Sequence, residues 1–341
     1  MKKTLFSLLI ALMAVVGAQA QQIAVVTSNG STTMYQNLTD AINGATSGST
    51  IYLPGGAFSV GEMIAITKKI TIIGIGHKAN GENADGNTTI SGNLAFNNGS
   101  SGSAVMGCYL AGHVSIGYDG KPVHNILVRY CNVQGVHIEC AQSTGTINNQ
   151  NYIRGTCWYH GASVQITNNV MYTFQGVNGG VISNNITLGN GKVTTNDDTG
   201  SSTTSTYAIG AKNSTITGNV CINWGNGQTP LYGDNCLVSG NMYSDIASPY
   251  FGDDYINVYS STWVGWDSIF ENYNSGAISP ASNFHFKGSY AKYESQCGIY
   301  AGTGFSDSAL PPVPYIVSKQ IPEQTDANGY LNIKMRVKAS E

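Results

Sequence analysis

The chain has 341 residues, a formal net charge of −3 at pH 7, and only 10% charged residues. So few cations on a slightly acidic chain argue against nucleic acid as a partner. They also argue against a strongly anionic polysaccharide, unless a cation or a local basic patch mediates the contact. In soluble proteins about a quarter of all residues are usually charged. The uncharged polar residues that replace them here suit strands and tight corners stacked many times.

The N-terminus predicts a secretory signal peptide. A charged start with Lys2 and Lys3 is followed by an apolar run over residues 5–17 and by a small-residue cleavage site that ends at Ala20. The run is shorter than the roughly 20 residues that a membrane-spanning helix needs. We therefore predict that residues 1–20 are removed and that the protein is exported to the periplasm, the cell surface or the extracellular space. No later segment is apolar enough to span a membrane.

The first part of the exported chain alternates strands with one short helix. Residues 23–27 and 50–53 read as strands, and apolar residues at helical spacing over 37–45 predict an amphipathic helix between them. Such a helix is expected to cap the open end of a stack of strands, because a terminal strand has no outer neighbour. Alternating apolar positions then predict strands at 64–66 and 70–73.

A short phrase recurs later in the chain: an aliphatic residue, a small polar one, Asn or Gly, then Asn and an apolar residue. The copies span residues 166–170, 182–186, 216–220 and 238–242, and their anchoring residues are Asn169, Asn185, Asn219 and Asn241, at steps of 16, 34 and 22 residues. A period near 20 residues predicts a solenoid. The phrase reads as strand, corner and next strand, since Asn and Gly enter left-handed backbone conformations most easily.

Earlier copies of the phrase extend the predicted solenoid towards the N-terminus. They begin at Ile90, Val105, Ile126 and Ile147, and the third is anchored on Asn132. The fourth carries an extra Asn that leaves its register open. Together they predict eight to ten coils. Each corner Asn is expected to point inward and bond its equivalents, because an identical position in every coil matches a stacking requirement. The insertion at 192–206 is predicted to be a protruding loop.

Seven cysteines are distributed along the chain without a metal-type pair spacing. They are Cys108, Cys131, Cys140, Cys157, Cys221, Cys236 and Cys297. We expect most of them to be buried inside the solenoid, where free Cys behaves as a small hydrophobe. A disulfide framework is the alternative that export permits. Cys140 and Cys157 are then the pair expected to bridge, since they lie about one coil apart.

These features predict an all-β fold: a single-stranded, right-handed parallel β-helix with an N-terminal helix cap and a C-terminal capping segment. Right-handedness follows from the rule for parallel crossovers. Residues 21–310 form the β-helix domain, although the repeat loosens after Tyr243 and aromatic residues become frequent. Residues 311–341 are a Pro-rich connector and a strand tail.

Residues 39–76 and the Asn-bearing corners resemble right-handed parallel β-helix proteins of the pectin lyase-like superfamily. Residues 284–289 and 298–300, with the Pro-rich tail, resemble the closing segment of exported Bacteroidetes β-helix proteins of unassigned activity. The resemblance implies a polysaccharide partner, on which the superfamily's enzymes act as lyases or hydrolases. The polygalacturonase-type motifs are not matched: residues 159–161 lack the first glycine of Gly-His-Gly, and Arg-Ile-Lys is absent.

Two pairs of adjacent carboxylates are candidate ligand-binding residues. Asp197 with Asp198, and Asp253 with Asp254, would point to opposite faces on a strand and so act together only in a loop. In a loop their oxygens suit a sugar or Ca²⁺, the one cofactor that these residues suggest. The alternative is that both pairs are solvated loop residues. No other metal site is predicted.

Cationic residues give weak candidates for catalysis. Arg129 and Arg154 occupy similar positions in neighbouring predicted coils, and with His137, His160 and Lys212 they are candidates to line one groove. A lyase needs such cations beside its base to neutralise a uronate carboxylate. The alternative is that they are exposed strand residues outside any site.

Aromatic residues that flank the corners are candidate platforms for sugar rings, because their large flat faces bind at little entropic cost. They are Trp158, Tyr159, Trp224 and Tyr232, with Tyr250 and Phe251. Burial is the alternative for each of them. The sequence thus predicts an exported, monomeric, glycan-associated protein that binds polysaccharide along one sheet face. A lyase or hydrolase with an unrecognised site and a structural or adhesive surface protein are the alternatives.

Overall fold

The structure, a computed structural model, is mainly β with two long sheets of parallel strands. It describes residues 22–78, 86–188, 193–196, 202–205, 208–221, 231–243, 255–257, 266–273, 278, 280–308, 310–320, 328, 330 and 334–339. The predicted signal peptide lies outside these residues. Among the helices in the described ranges, none is long and apolar enough to cross a membrane.

The first sheet has eleven strands, numbered here in chain order with all others. From one edge they are β2 (Thr32–Tyr35), β1 (Ile23–Val26), β3 (Ser49–Tyr52), β5 (Ile70–Ile73), β7 (Ala104–Met106), β9 (Leu127–Arg129), β11 (Thr144–Asn149), β13 (Ser163–Thr167), β15 (Val181–Ser183), β20 (Thr215–Thr217) and β23 (Leu237–Ser239). β1 pairs antiparallel with both β2 and β3, and the pairs from β3 to β23 are parallel.

The second sheet has twelve parallel strands. They are β4 (Gly56–Ile66), β6 (Thr88–Phe96), β8 (Tyr109–Ile116), β10 (Asn132–Ile138), β12 (Tyr152–Trp158), β14 (Val170–Asn178), β16 (Ile186–Thr187), β21 (Val220–Cys221), β24 (Asn241–Tyr243) and β25 (Tyr255–Asn257), with β19 (Ile209–Lys212) and β22 (Leu231–Asp234). Beyond β14 the sheet divides, because the start of β14 pairs with β16 and its end with β19.

From β3 onwards each first-sheet strand is followed along the chain by a second-sheet strand. We call one such pair a coil. Nine first-sheet strands stack in this way, β3 to β23, within the eight to ten coils that the repeat predicts. Aliphatic side chains from both sheets meet between them in one continuous core. This arrangement is compatible with an all-β solenoid.

Short elements surround the two sheets. The helix α1 (Leu38–Gly44) begins after Asn37, whose side chain accepts a hydrogen bond from the Asp40 amide, and it buries its apolar face against β1, β2 and β4. The other elements are α2 (Trp266–Ile269), a 3₁₀ helix (Gly288–Tyr293), and the antiparallel pairs β17 (Val193–Asn196) with β18 (Ser202–Ser205), β26 (Phe270–Asn272) with β27 (Asn283–Phe286), and β28 (Pro314–Gln320) with β29 (Lys334–Ala339). The insertion predicted as a loop therefore contains a two-stranded ribbon.

The corner after each first-sheet strand from β7 to β23 has a fixed pattern of two residues. The first has a φ between 53° and 66° and is Gly107, Tyr130, Gln150, Asn168, Asn184, Gly218 or Gly240. The second points inward and is Cys108, Cys131, Asn151, Asn169, Asn185, Asn219 or Asn241. We call the second set the ladder. Consecutive amides bond along it, from Asn169 to Asn185 at 3.0 Å and from Asn185 to Asn219 at 2.9 Å, which confirms the stacking prediction.

The ladder corrects one prediction, since Cys131 and not Asn132 occupies the corner of its coil. The Cys131 amide donates to Asn151 Oδ1 at 2.8 Å, and Asn132 is already the first residue of β10. Asn151 also resolves the register that the sequence left open. Burial raises the pKa of the Cys131 thiol to about 12, so it stays a neutral packing group.

All seven cysteines are free, and six of them are buried. The burial agrees with the expectation that cysteine fills the solenoid. The Cys140–Cys157 bridge, which belonged to the alternative of a disulfide framework, does not form. Cys157 faces the core, and burial raises its pKa to about 11, whereas the Cys140 thiol donates to Gln142 Oε1.

A second apolar core lies on the outer face of the second sheet. The first outward residues after the corner are in register and buried: Tyr152, Val170, Ile186, Val220 and Met242. Residues 280–308, which we call the strap, cover them with Phe284, Phe286 and Ile299.

Corner residues also hold the strap through polar bonds. Asn168 Nδ2 donates to the carbonyls of Ile299 and Ala301 at 2.8 and 2.9 Å, and the Gly298 amide donates to Gly218 at 2.8 Å. Asn168 is one of the residues with positive φ. The corner therefore serves both the turn and the docking of the strap.

One buried histidine beside the strap predicts acid sensitivity. His77 is 3% exposed, stacks edge-on against Tyr152, and has no hydrogen-bond partner for either ring nitrogen among the described residues. Burial, assisted by the charge of Lys78, lowers its pKa from 6.5 to about 3. Between pH 6.5 and pH 3, His77 therefore binds a proton in the unfolded chain but not in the folded chain. The free energy of unfolding then falls as the pH drops from 6.5 towards 3.

We expect His77→Phe to remove this loss, which amounts to as much as about 1.4 kcal/mol per pH unit. Denaturant unfolding at pH 4.5, 5.5 and 7 measures it in both proteins. The free energies of unfolding should converge at pH 7 and separate at pH 4.5 in favour of the variant. Equal pH slopes in the two proteins would contradict the assignment.

Candidate functional site

The pairing register of the second sheet shifts around Gly135 and Gly155 in neighbouring coils. At Gly135 an added Cβ would lie 2.6 Å from the Thr156 carbonyl oxygen, 2.8 Å from His113 Nδ1 and 2.9 Å from His137 Nε2. These contacts are too short for any residue with a side chain. Gly135 therefore leaves the space into which two imidazoles from adjacent coils converge.

The imidazoles belong to a polar cluster on the outer face, formed by His113, His137, Glu139, Arg154 and His160. The rings of His113 and His137 lie 4.5 Å apart between centroids. His137 Nε2 donates to the Thr156 carbonyl at 3.1 Å, and its Nδ1 faces Glu139 at 3.9 Å. His160 Nε2 lies 3.8 Å from the other Glu139 oxygen. We call these five residues the imidazole cluster.

Arg154 supplies the permanent positive charge of the cluster. Its guanidinium lies 4.2 Å over the Tyr109 ring, bonds the Tyr109 hydroxyl, and donates to the Leu110 carbonyl at 2.6 Å. Its Nε is buried and has no partner within the described residues. The guanidinium is held by the ring and the carbonyl, so its orientation is fixed before any ligand binds.

Both central imidazoles are held neutral at pH 7. Burial lowers the pKa of His137 to about 4, assisted by the charges of His113 and His160. Burial and the charge of Arg154 also lower the pKa of His113. In the neutral His137 ring the proton is on Nε2, because Nε2 donates to the Thr156 carbonyl. The other nitrogen, Nδ1, is then a hydrogen-bond acceptor, and it faces the space between His137 and Glu139. A neutral imidazole there accepts a hydrogen bond or a proton from a hydroxyl group.

A line of outward side chains continues from the cluster along the sheet. His137 is in register with Trp158, which is in register with Gln175, and Gly210 and Tyr232 follow in the next strands. Trp158 and Tyr232 are partly exposed and lie three strand spacings, about 14 Å, apart. We call His137, Trp158, Gln175 and Tyr232 the second-sheet row.

The structure does not bring the predicted cationic groove together. Arg129 ends a first-sheet strand before the corner, whereas Arg154 follows the corner on the second sheet. Lys212 pairs with Asp234 at 3.7 Å, two strands beyond β12. Of the other residues predicted to line the groove, His137 and His160 do join Arg154 in the cluster. The similar positions inferred for the two arginines are wrong, because a corner separates their faces.

The predicted aromatic platforms divide between the surface and the core. Trp158 and Tyr232 are in the second-sheet row, but Tyr159 is fully buried and its hydroxyl accepts from Asn148 Nδ2 at 3.0 Å. Tyr159 therefore cannot stack on a sugar, which corrects its assignment. Five other candidates lie outside the described residues: Trp224, Tyr250, Phe251 and the pairs Asp197–Asp198 and Asp253–Asp254.

Sequence reasoning missed His113, Glu139 and Tyr109 as site residues. Tyr109 and His113 both lie on β8, and Glu139 directly follows β10. Only the register between coils places them beside Arg154 or His137. Their one signal in the sequence is position: His113, His137 and His160 recur at steps of 24 and 23 residues, close to the coil length.

No group of three or more His, Cys, Asp or Glu in the described part of the chain is arranged to hold a metal ion. Comparison with known protein families, characterised proteins and solved structures finds no match for this chain.

Proposed function

We propose that this protein is an exported, glycan-associated β-helix protein that binds polysaccharide along the outer face of the second sheet. The observation that carries the proposal is the second-sheet row, in which two partly exposed aromatic rings continue in register from the imidazole cluster. Its length over successive coils favours an extended polymer over a compact ligand.

The chemistry of the row suits sugars. The rings of Trp158 and Tyr232 offer flat apolar faces for pyranose rings. His137 and Gln175 offer donors and acceptors for hydroxyl groups, because His137 is neutral at pH 7. Arg154 and Glu139 add one charge of each sign, so the face carries no net repulsion against an uncharged chain.

The finer features of the fold belong to the same proposal. Right-handed coiling is supported by the handedness rule for parallel connections. The position of α1 beside the first strands supports its role as an N-terminal cap. Export through a signal peptide and membership of the pectin lyase-like superfamily are supported by the sequence patterns alone. Trp224 and the two Asp pairs are proposed to extend the sugar-binding surface, the Asp pairs with Ca²⁺ as their cofactor.

A polysaccharide lyase is the second candidate function. It is favoured by Arg154 lying beside neutral imidazoles, since β-elimination requires a base and a cation for the uronate carboxylate. A hydrolase would require two carboxylates, and the imidazole cluster contains Glu139 alone. Formation of unsaturated uronate products by the mature protein, lost in His137→Ala, would establish the lyase.

We expect Trp158→Ala to weaken binding to the polysaccharides that the mature protein recognises on a glycan array by about ten- to a hundredfold. His137→Ala should weaken binding to the same polysaccharides. Tyr118→Ala is the matched control, because Tyr118 is an aromatic residue 55% exposed and outside the row. Affinities are measured by titration calorimetry with the array hits.

The outcomes separate the candidate functions. Unchanged affinity in Trp158→Ala and His137→Ala would exclude the second-sheet row as the binding face. Absence of binding to every glycan, with no product formed, would favour a structural or adhesive surface protein, a role that a stiff solenoid fills without a pocket.

A further inference from the structure

The C-terminal ribbon, formed by the antiparallel pair β28 and β29, carries positive charge on one side. Lys334, Arg336 and Lys338 alternate along β29, so their side chains point the same way, and all three are exposed. None of them pairs with a carboxylate among the described residues, and the described residues from 310 onwards include no Asp or Glu. The acidic residues of the tail lie outside the described ranges: Glu323, Asp326 and Glu341.

The other side of β29 is apolar and also exposed. Met335 and Val337 alternate with the cations and are 61% and 57% exposed. Val337 is opposite Ile316 of β28, and directly opposed residues lie on the same side of a ribbon. Ile316 lines a cavity against Tyr52 and Ile73 of the first sheet. The base of the ribbon therefore rests on β3 and β5, while the apolar side chains of β29 stay in solvent.

Two more exposed apolar side chains lie beside the base of the ribbon. Met34 of β2 and Tyr52 of β3 are each opposite Ala24 of β1, so they belong to one row. They are 50% and 43% exposed, and Ala24 and Tyr52 line the same cavity as Ile316. These two and the two on β29 are four of the nine exposed large apolar side chains among the described residues, so apolar exposure is concentrated at this end of the solenoid. We call these four side chains the end patch: Met34, Tyr52, Met335 and Val337.

We propose that the ribbon and the end patch bind the surface of a bilayer rich in anionic phospholipid. Each Lys or Arg near such a surface strengthens binding by about fivefold. The apolar side chains enter the boundary between headgroups and acyl chains, as the apolar side of a surface-bound amphipathic helix does. Lys and Arg side chains are long enough to reach the headgroups while their strand lies flat on the surface. The cations and the apolar side chains of one ribbon thus serve one partner.

Two other partners fit the ribbon less well. An anionic polysaccharide would neutralise the cations but leave Met335 and Val337 in water. A second copy of the chain would bring like charges together, and lysine on an edge strand opposes pairing between strands. The chain as a whole has a formal net charge of −3, so the rest of the molecule is repelled by an anionic bilayer and the ribbon is the part that approaches it. The proposal is independent of the second-sheet row, since the base of the ribbon rests on the first sheet.

The experiment is co-sedimentation of the mature protein with vesicles of phosphatidylcholine, either alone or with about 30% phosphatidylglycerol to make them anionic. We expect binding to the anionic vesicles only. The triple variant Lys334→Gln, Arg336→Gln, Lys338→Gln should lose at least about tenfold in partition coefficient, because it removes the charge that attracts the headgroups. The matched control removes three exposed cations elsewhere and should bind like the wild type: Lys69→Gln, Lys121→Gln and Lys292→Gln.

The double variant Met335→Ser, Val337→Ser should also lose about tenfold, since its side chains gain little by leaving water. Its control, Val181→Ser with Leu237→Ser, changes comparably exposed side chains of the first sheet. The proposal is overturned if either ribbon variant binds like the wild type, if neutral vesicles bind equally well, or if the protein binds polygalacturonate and no vesicle. A dimer in solution that the double variant abolishes, without vesicle binding, would also overturn it. Thermal unfolding midpoints should match the wild type, and a lower midpoint in a ribbon variant would count against the exposed placement of β29.

Discussion

Asn219→Ala is expected to lower the free energy of unfolding by about 3–5 kcal/mol. Asn219 is fully buried and lies between Asn185 and Asn241 in the ladder. Its Nδ2 donates to the carbonyls of Ile182 and Thr217 and to Asn241 Oδ1, and its Oδ1 accepts from the amide and side chain of Asn185. Alanine would leave several of these groups buried without partners.

Thr217→Ala is the matched control for the ladder prediction. Thr217 lies two residues earlier on the same coil, but its side chain points outward and its hydroxyl has no partner in the described residues. Its replacement should change stability by less than about 0.5 kcal/mol. Denaturant unfolding followed by circular dichroism measures both variants. A cost for Asn219→Ala as small as that for Thr217→Ala would show that the ladder adds nothing to stability.

Phe284→Ala is expected to destabilise the strap by about 3–5 kcal/mol, the usual cost of removing a buried aromatic ring. Phe284 is 1% exposed and packs edge-on against Phe270 at 5.3 Å, with Tyr152 of the second sheet 6.4 Å away. The ring thus joins the strap to the coils. Because each coil contacts mainly its neighbours, the loss should be concentrated in the strap.

Hydrogen exchange with mass spectrometry distinguishes local from global loss. Peptides from the strap should exchange faster in Phe284→Ala, while peptides from β8 and β10 keep their protection. Met335→Ala, at a side chain 61% exposed, is the control and should leave both unchanged. Equal acceleration in all peptides would instead mean that the strap and the coils unfold as one unit.

The strap covers second-sheet residues whose covering the sequence does not reveal. Val170 and Met171 are adjacent and both fully buried, but Val170 faces the strap and Met171 faces the inner core. Two adjacent apolar residues on a strand point to opposite faces of the sheet. Their sequence does not show whether a distant part of the chain covers the outer one. The sequence alone therefore does not show that the strap covers the outward row from Tyr152 to Met242.

The two arginines Arg129 and Arg154 also show that the sequence alone does not specify which face a side chain occupies. Arg129 and Arg154 each stand near a corner, and the extra Asn near residue 150 hid which side of the corner each one occupies. Once Asn151 takes the ladder position, Arg154 falls on the second sheet beside Tyr109 and His113. A shift of one residue at a corner moves a side chain to another face.

The sequence by itself determined the period, the corner chemistry and the inward direction of the ladder amides. These depend on consecutive residues: Asn and Gly enter positive φ, and a strand alternates its faces. Tertiary structure alone decided the imidazole cluster, the second-sheet row and the covering by the strap. Each joins residues from different coils, and the register between coils depends on insertions and bulges whose lengths no local pattern specifies.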